Sequence, residues 1–208
     1  MNEGYRQIID SISSPDPTPG GGSVSALVLS HAHSLALMVS RLTLGKEKWA
    51  DGQSISKKII SSSSQGVESS LDLAKKDATA FDMVMDSYRL PKDTEALKET
   101  RKKSIQKSTI RAATVPLEIM RESTKLMETI TDLARYGNSN ALTDLLGAAD
   151  LAKTSTTIAS YNVRINLDDL DPCDEKTSIT NELDKLERTN VESYKVIRNV
   201  ILERLKWD

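Results

Sequence analysis

Apolar positions along this chain recur at intervals of three and four, which predicts helices rather than strands almost throughout. Residues 2–12 read as a short helix. From Ser23, which suits an N-cap, the positions Val24, Leu27, Val28, His31, Leu35, Met38, Val39 and Leu42 form one stripe of a largely buried helix that runs to about Thr43. After a link over Gly45–Gly52, a second long helix from about Ser54 to Tyr88 carries Ile55, Ile59, Val67, Leu71, Ala74, Ala78, Phe81, Met85 and Tyr88 on one stripe. Ser61 to Ser64 within it are small enough to let a neighbouring helix approach closely.

The segment RLPKDT at 89–94 breaks the pattern, because the residue before proline is pushed out of helical geometry and Asp93 can cap a new start. A third long helix to about Ala134 follows, with Leu97, Ile105, Ala112, Val115, Ile119, Leu126 and Ile130 on its apolar side. Pro116 inside it predicts a kink or short interruption. A turn at Tyr136–Ser139 leads to a helix rich in small residues over Ala141–Tyr161, and NVRINLDDLDP at 162–172 reads as an irregular connector. Asp171 then caps a last helix with Pro172 at its first position and Asp174 and Glu175 where the helix dipole favours negative charge. Ile179, Leu183, Leu186, Tyr194, Ile197, Ile201 and Leu205 give that helix a seam close to a coiled coil over roughly 50 Å of length. The predicted fold is all-α: one domain over 1–208, an elongated bundle of long antiparallel helices whose exposed seams favour self-association.

Composition narrows the function classes. Aromatic residues are 4% of the 208, and the 9 glycines and 6 prolines have their one dense group near the N-terminus instead of marking many short strands at even spacing. With 28 Lys and Arg against 30 Asp and Glu, the net charge of −2 supplies no global attraction to nucleic acid or an anionic membrane. Arg101, Lys102, Lys103, Lys107 and Arg111 lie at helical spacing among other charges, which reads as a solvated face, with a small-anion site as the alternative. The apolar run Val24–Val39 is interrupted by Ser25, Ser30, His31, His33 and Ser34 and falls short of a membrane span. The N-terminus shows no signal-peptide pattern, and the single Cys173, placed in a first helical turn, fits a reducing cytoplasm. One cysteine and two histidines make no zinc ligand set, so no metal is expected.

The remaining chemistry sits at a few polar positions. PTPGGGS at 17–23 lets backbone approach a ligand and is followed by a helix whose free N–H groups suit an anion; a plain tight helix entry is the alternative. His31 and His33 cannot face the same way on a helix, and His31, on the apolar stripe, reads as a core or interface histidine. Asp77 and Asp144 lie beside apolar positions, where burial would raise a carboxyl pKa toward the working range; an ordinary helix-surface aspartate is the default reading for each. Asn140 and Asp144 share a helix face at i and i+4, and Asn138, Asn162 and Asn166 add amides able to donate and accept towards a planar heterocycle, with helix capping the alternative for Asn138 and Asn162.

PTPGGGS, RLTLGK at 41–46, DATAF at 77–81, YRLPKDT at 88–94, VPL at 115–117, GNSNALTDLLGAA at 137–149 and NVRINL at 162–167 together resemble the formiminotetrahydrofolate cyclodeaminase family. The order and spacing match over essentially the whole chain. This family includes the C-terminal domain of formiminotransferase-cyclodeaminases and stand-alone proteins, some of them methenyltetrahydrofolate cyclohydrolases. The resemblance implies a helical, homodimeric enzyme of the cytoplasm that uses a tetrahydrofolate derivative as substrate. A separate formiminotransferase would supply it, because that half is not seen here. It implies a folate site made by Pro19, Gly20, Gly21, Gly22 and Ser23 with Asn140, Asn162 and Asn166, and catalysis by Asp144 first, then Asp77, with Lys92 holding a folate carboxylate or orienting an acid. A second subunit would complete the site. His31 and His33 belong to none of these blocks.

Overall fold

The computed structural model describes residues 3–207 and contains six α-helices and no strand among them: α1 (Glu3–Ile12), α2 (Gly21–Thr43), α3 (Gln53–Arg89), α4 (Glu95–Tyr136), α5 (Leu142–Asp168) and α6 (Asp174–Leu205). Helix α2 lies between α3 and α5, and α4 packs on α3, α5 and α6. Consecutive long helices run antiparallel, as paired contacts show: Ser23 with Asp77 and His33 with Ser63 across α2–α3, Ser87 with Ser104 across α3–α4, and Asn166 with Ala112 across α4–α5. Leu29, Ile59, Met120, Met127, Leu145, Leu183 and Ile197 are fully buried along the bundle axis. In α6 the expected seam holds, with Ile179, Leu183, Ile197 and Ile201 buried.

Helix α2 turns a different face inward from the one its large residues mark. Ser25, Ala26, Leu29, Ala32, His33, Ala36, Val39 and Ser40 are buried, whereas Met38 and Leu42 are exposed and Val24, Leu27, Val28 and Leu35 only half-buried. Small side chains bring the α3 and α5 backbones close, so dispersion contacts between backbones replace those of bulky side chains. The same choice reverses the histidines: His31 is exposed and His33 is in the core. The His33 ring lies directly on Gly66 of α3, where a Cβ would overlap it, and Nδ1 is 3.1 Å from the Ser63 hydroxyl. Its Nε2 has no partner. By length and composition alone α2 is apolar enough to cross a membrane, contrary to the sequence reading, but most of that stretch is buried within the bundle. On α3 the expected stripe is likewise displaced, and Leu71, Phe81, Met85 and Tyr88 are exposed.

Four boundaries differ from expectation for local reasons. Gly20, not Ser23, precedes the first turn of α2, because Ser23 is engaged elsewhere. Thr94, not Asp93, caps α4 by accepting from the Leu97 N–H. Cys173 caps α6 through its sulfur, and Asp171 and Pro172 stay outside that helix. Helix α4 runs unbroken through Pro116. Proline leaves the carbonyl four residues earlier without its helical donor; that carbonyl, Ala112 O, accepts instead from Asn166 Nδ2 at 3.2 Å. The segment 162–168, expected to be irregular, continues α5, with Val163 and Leu167 buried and Asn162 and Asn166 each donating to the carbonyl one turn back.

Candidate functional site

The glycine segment opens α2 because only glycine fits where it lies. A Cβ on Gly22 would overlap the Asp77 carboxyl, and one on Gly21 would crowd the Asn162 amide at 3.3 Å. The first turn of α2 is thus wedged between α3 and α5. The Gly21 and Gly22 N–H groups have no acceptor within the helix, as first-turn groups do not, and the helix dipole adds positive potential at this point.

Asp77 is the chemical centre of this wedge. Ser23, almost wholly buried, donates its hydroxyl to Asp77 Oδ2 at 2.9 Å. Burial raises the Asp77 pKa above the usual carboxylate value, and the Ser23 hydroxyl and backbone N–H, which favour the charged form, oppose that rise. A carboxyl so held can exchange a proton nearer neutral pH while staying fixed in direction.

Space for a ligand lies beside the wedge. A cavity of about 540 Å3 opens between α1 and the α2–α3 pair, lined by Ile8, Pro19, Ser23, Leu27, Leu71 and Ala74 among others. On the other side, α3 and α5 run on past the first residue of α2 and pack on α4. There the stripe of α3 that carries Asp77 continues by helical period to Phe81, Val84 and Tyr88, of which Phe81 is 37% and Tyr88 46% exposed, and on α5 Ile165 is 61% exposed.

The residues expected to form the site divide into two groups within one chain. Pro19, Gly20, Gly21, Gly22, Ser23, Asp77 and Asn162 are together at the start of α2. Asn166 is close by, but its amide nitrogen donates to Ala112 O and Asn162 O, so this group holds the fold and leaves only its oxygen for a ligand. Lys92 is exposed on the α3–α4 link and lines a separate cavity between the start of α4 and the end of α5, away from the wedge. Asp144 is in the first turn of α5, about 27 Å of helix rise from Asn162. Asn140 lies in the short 3-10 turn Ser139–Ala141 before α5, so the expected helix face shared with Asp144 does not form. Asn138 clips this turn to the end of α2: its N–H donates to Thr43 Oγ1, its Nδ2 donates to Leu42 O, and its side-chain oxygen accepts from the Asn140 N–H. Among the described residues, no three His, Cys, Asp or Glu side chains converge as metal ligands. Sequence reasoning gave Ser23 a capping role and missed its bond to Asp77; no spacing in the sequence connects positions 54 residues apart.

Comparison with known proteins identifies the family and the fold. Residues 4–185 match the family model described as formiminotransferase-cyclodeaminase. A methenyltetrahydrofolate cyclohydrolase of Methylorubrum extorquens is 33% identical over 82% of each chain. The formimidoyltransferase-cyclodeaminase of Mus musculus is 30% identical over 82% of this chain, which corresponds to 31% of that longer protein. The crystal structure of a formiminotetrahydrofolate cyclodeaminase from Thermotoga maritima superposes with a TM-score of 0.87 at 30% identity, covering 97% of this chain and 96% of the other.

Proposed function

Since the chain belongs to the formiminotransferase-cyclodeaminase family, we propose that it closes 5-formiminotetrahydrofolate to 5,10-methenyltetrahydrofolate with release of ammonia, and that Asp77 moves the protons. The half-buried Asp77 carboxyl, raised in pKa and fixed by Ser23 at the glycine wedge, carries this reading. N10 attacks the one-carbon group and loses a proton, and the departing nitrogen needs protons to leave as ammonia. One carboxyl that accepts the first proton and returns it serves both steps. The Asn162 amide, beside Gly21, offers a donor and an acceptor to the pteridine edge. The first-turn N–H groups of α2, free of intrahelical acceptors, offer donors to an acceptor atom of the ligand.

Asp144 joins this site in a homodimer. The outward stripe of α2, Val24, Val28, Leu35, Met38 and Leu42, is incompletely covered within one chain, and the α1 residues Tyr5, Ile8 and Ile9 are exposed beside it. A two-fold axis crossing the middle of α2 pairs the helix with its copy antiparallel. It then sets the copy's Asn138–Asp144 turn, which is clipped to Leu42 and Thr43, over the Gly20–Ser23 wedge. Asp144 and Asn140 from one chain thereby meet Asp77 and Asn162 from the other. A reducing cytoplasm suits the lone Cys173.

Hydrolysis of 5,10-methenyltetrahydrofolate is the second reading, favoured by the similar length of the Methylorubrum relative; water would replace N10 as the group that Asp77 serves. Supplying purified protein with each substrate and following ammonia release and methenyl absorbance separates the two. Loss of neither substrate would refute both. Mixing Asp77→Asn with Asp144→Asn chains tests the shared site: exchange of subunits restores activity to two inactive preparations, and no recovery despite exchange overturns it.

A further inference from the structure

The turn between α4 and α5, which carries Asn140 and leads to Asp144, spends its backbone hydrogen bonds in an unusual way. The Asn138 N–H, which one more turn of α4 would give to Ala134 O, donates to Thr43 Oγ1 instead. The Ala141 N–H donates to Asn138 O, three residues back, and so bypasses Gly137 O. Two carbonyls at the end of α4 are thereby left without a backbone donor, where the helix dipole is negative. Arg204, in the last turn of α6, takes both: Nη1 donates to Ala134 O at 2.6 Å and Nη2 to Gly137 O at 2.8 Å. Burial lowers the pKa of Arg204, so its charge is kept here at some cost in solvation. Opposite this fork the turn rests on Gly52, where a Cβ would come to 2.6 Å from the Tyr136 carbonyl oxygen.

We propose that Arg204 is a positioning residue for the Asp144 half of the site: by joining Ala134 O in α4 to Gly137 O in the turn, it fixes the direction in which the chain leaves α4 for α5. The assignment rests on the shared site proposed above, because only there does this turn meet Asp77. A planar guanidinium fork holds two carbonyls at once, so the bend between them is set while the fork is in place. Helix α5 begins at Leu142, and a tilt of the turn passes directly to Asn140 and Asp144. A shift of about 1 Å in a group placed against substrate costs about a hundredfold in rate. Arg204 bonds backbone only and lies beyond residues 4–185 that match the family model, so no sequence motif points to it. Its action has a direction between subunits. Arg204 orients Asp144 of its own chain, which serves the site whose Asp77 belongs to the other chain.

Mixed dimers test this. A chain with Asp77→Asn supplies only the Asp144 half and a chain with Asp144→Asn only the Asp77 half, so a dimer of the two holds one working site. Arg204→Ala is added to one chain or to the other. Ammonia release from 5-formiminotetrahydrofolate, or loss of methenyl absorbance where hydrolysis is the activity, is measured per mixed dimer, whose amount native mass spectrometry gives. On the Asp77→Asn chain the substitution lowers kcat at least about tenfold while KM changes by less than about threefold. On the Asp144→Asn chain, whose turn belongs to the inactive site, kcat stays within about twofold. Arg204→Lys on the Asp77→Asn chain recovers only part of the loss, since an ammonium has no fork for two carbonyls. Equal losses in the two placements, as a general loss of stability would give, or no loss in either, overturn the positioning role and leave the shared site standing. No activity in the parent mixture despite subunit exchange overturns the shared site and the role of Arg204 with it.

Discussion

Acidification from pH 7.5 to 5 removes about 2 kcal/mol of stability from this bundle through one side chain, His33. Burial of the ring, assisted by the positive charge of Lys125, pushes its pKa from 6.5 down to about 4. A base whose pKa is lower in the folded state binds its proton first in the unfolded chain. Stability is therefore complete above pH 6.5, declines as pH falls, and is lost in full, by about 3 kcal/mol, below pH 4. Most of the loss by pH 5 precedes ordinary carboxylate titration. The Asp77 carboxyl acts in the opposite sense, since a raised pKa makes the folded state take up its proton first on acidification. Urea unfolding at half-unit pH steps, for wild type and for His33→Gln, isolates the histidine: the variant is less stable at pH 7.5 but loses about 2 kcal/mol less than wild type between pH 7.5 and 5. Parallel stability curves for the two proteins would refute the reasoning.

Asp77→Asn lowers kcat by about a hundredfold or more while leaving helicity unchanged. Ser23→Ala, which removes a bond to the charged carboxylate, raises the Asp77 pKa further, so the acidic limb of the kcat/KM profile moves to higher pH; an unmoved limb would detach Asp77 from that titration. Gly22→Ala forces a methyl group into the Asp77 carboxyl and costs about 1–3 kcal/mol in urea unfolding, together with a fall in kcat/KM greater than the unfolded fraction accounts for. Asn166→Ala leaves the Ala112 carbonyl without a donor and costs about 1–3 kcal/mol; in a Pro116→Ala background, where the helix supplies that donor, the same substitution costs less, and equal costs in the two backgrounds would break the proposed link.

The helix count and the coiled-coil seam of α6 were legible because they depend on periodicity within single segments, which the sequence displays directly. What the sequence hid depends on pairs of segments. Pro116 read alone predicts a kink, and Asn166 read alone predicts a ligand group in a loop. Together they compensate: the amide replaces the donor that proline lacks, α4 stays continuous, and α5 extends to meet it. The inward face of α2 was misread for a related reason. Large apolar residues mark a core when neighbours stand at side-chain distance, but Gly66 under His33 and Gly22 against Asp77 bring backbones closer than that, and small residues become the core markers. The displaced stripe of larger residues is then left for another surface to cover. The two halves of the site, Asp77 at one end of α2 and Asp144 near the other, follow from this arrangement. Antiparallel helices separate within a chain what the sequence motifs group as one site, and the proposed antiparallel pairing of the uncovered α2 faces would reunite them.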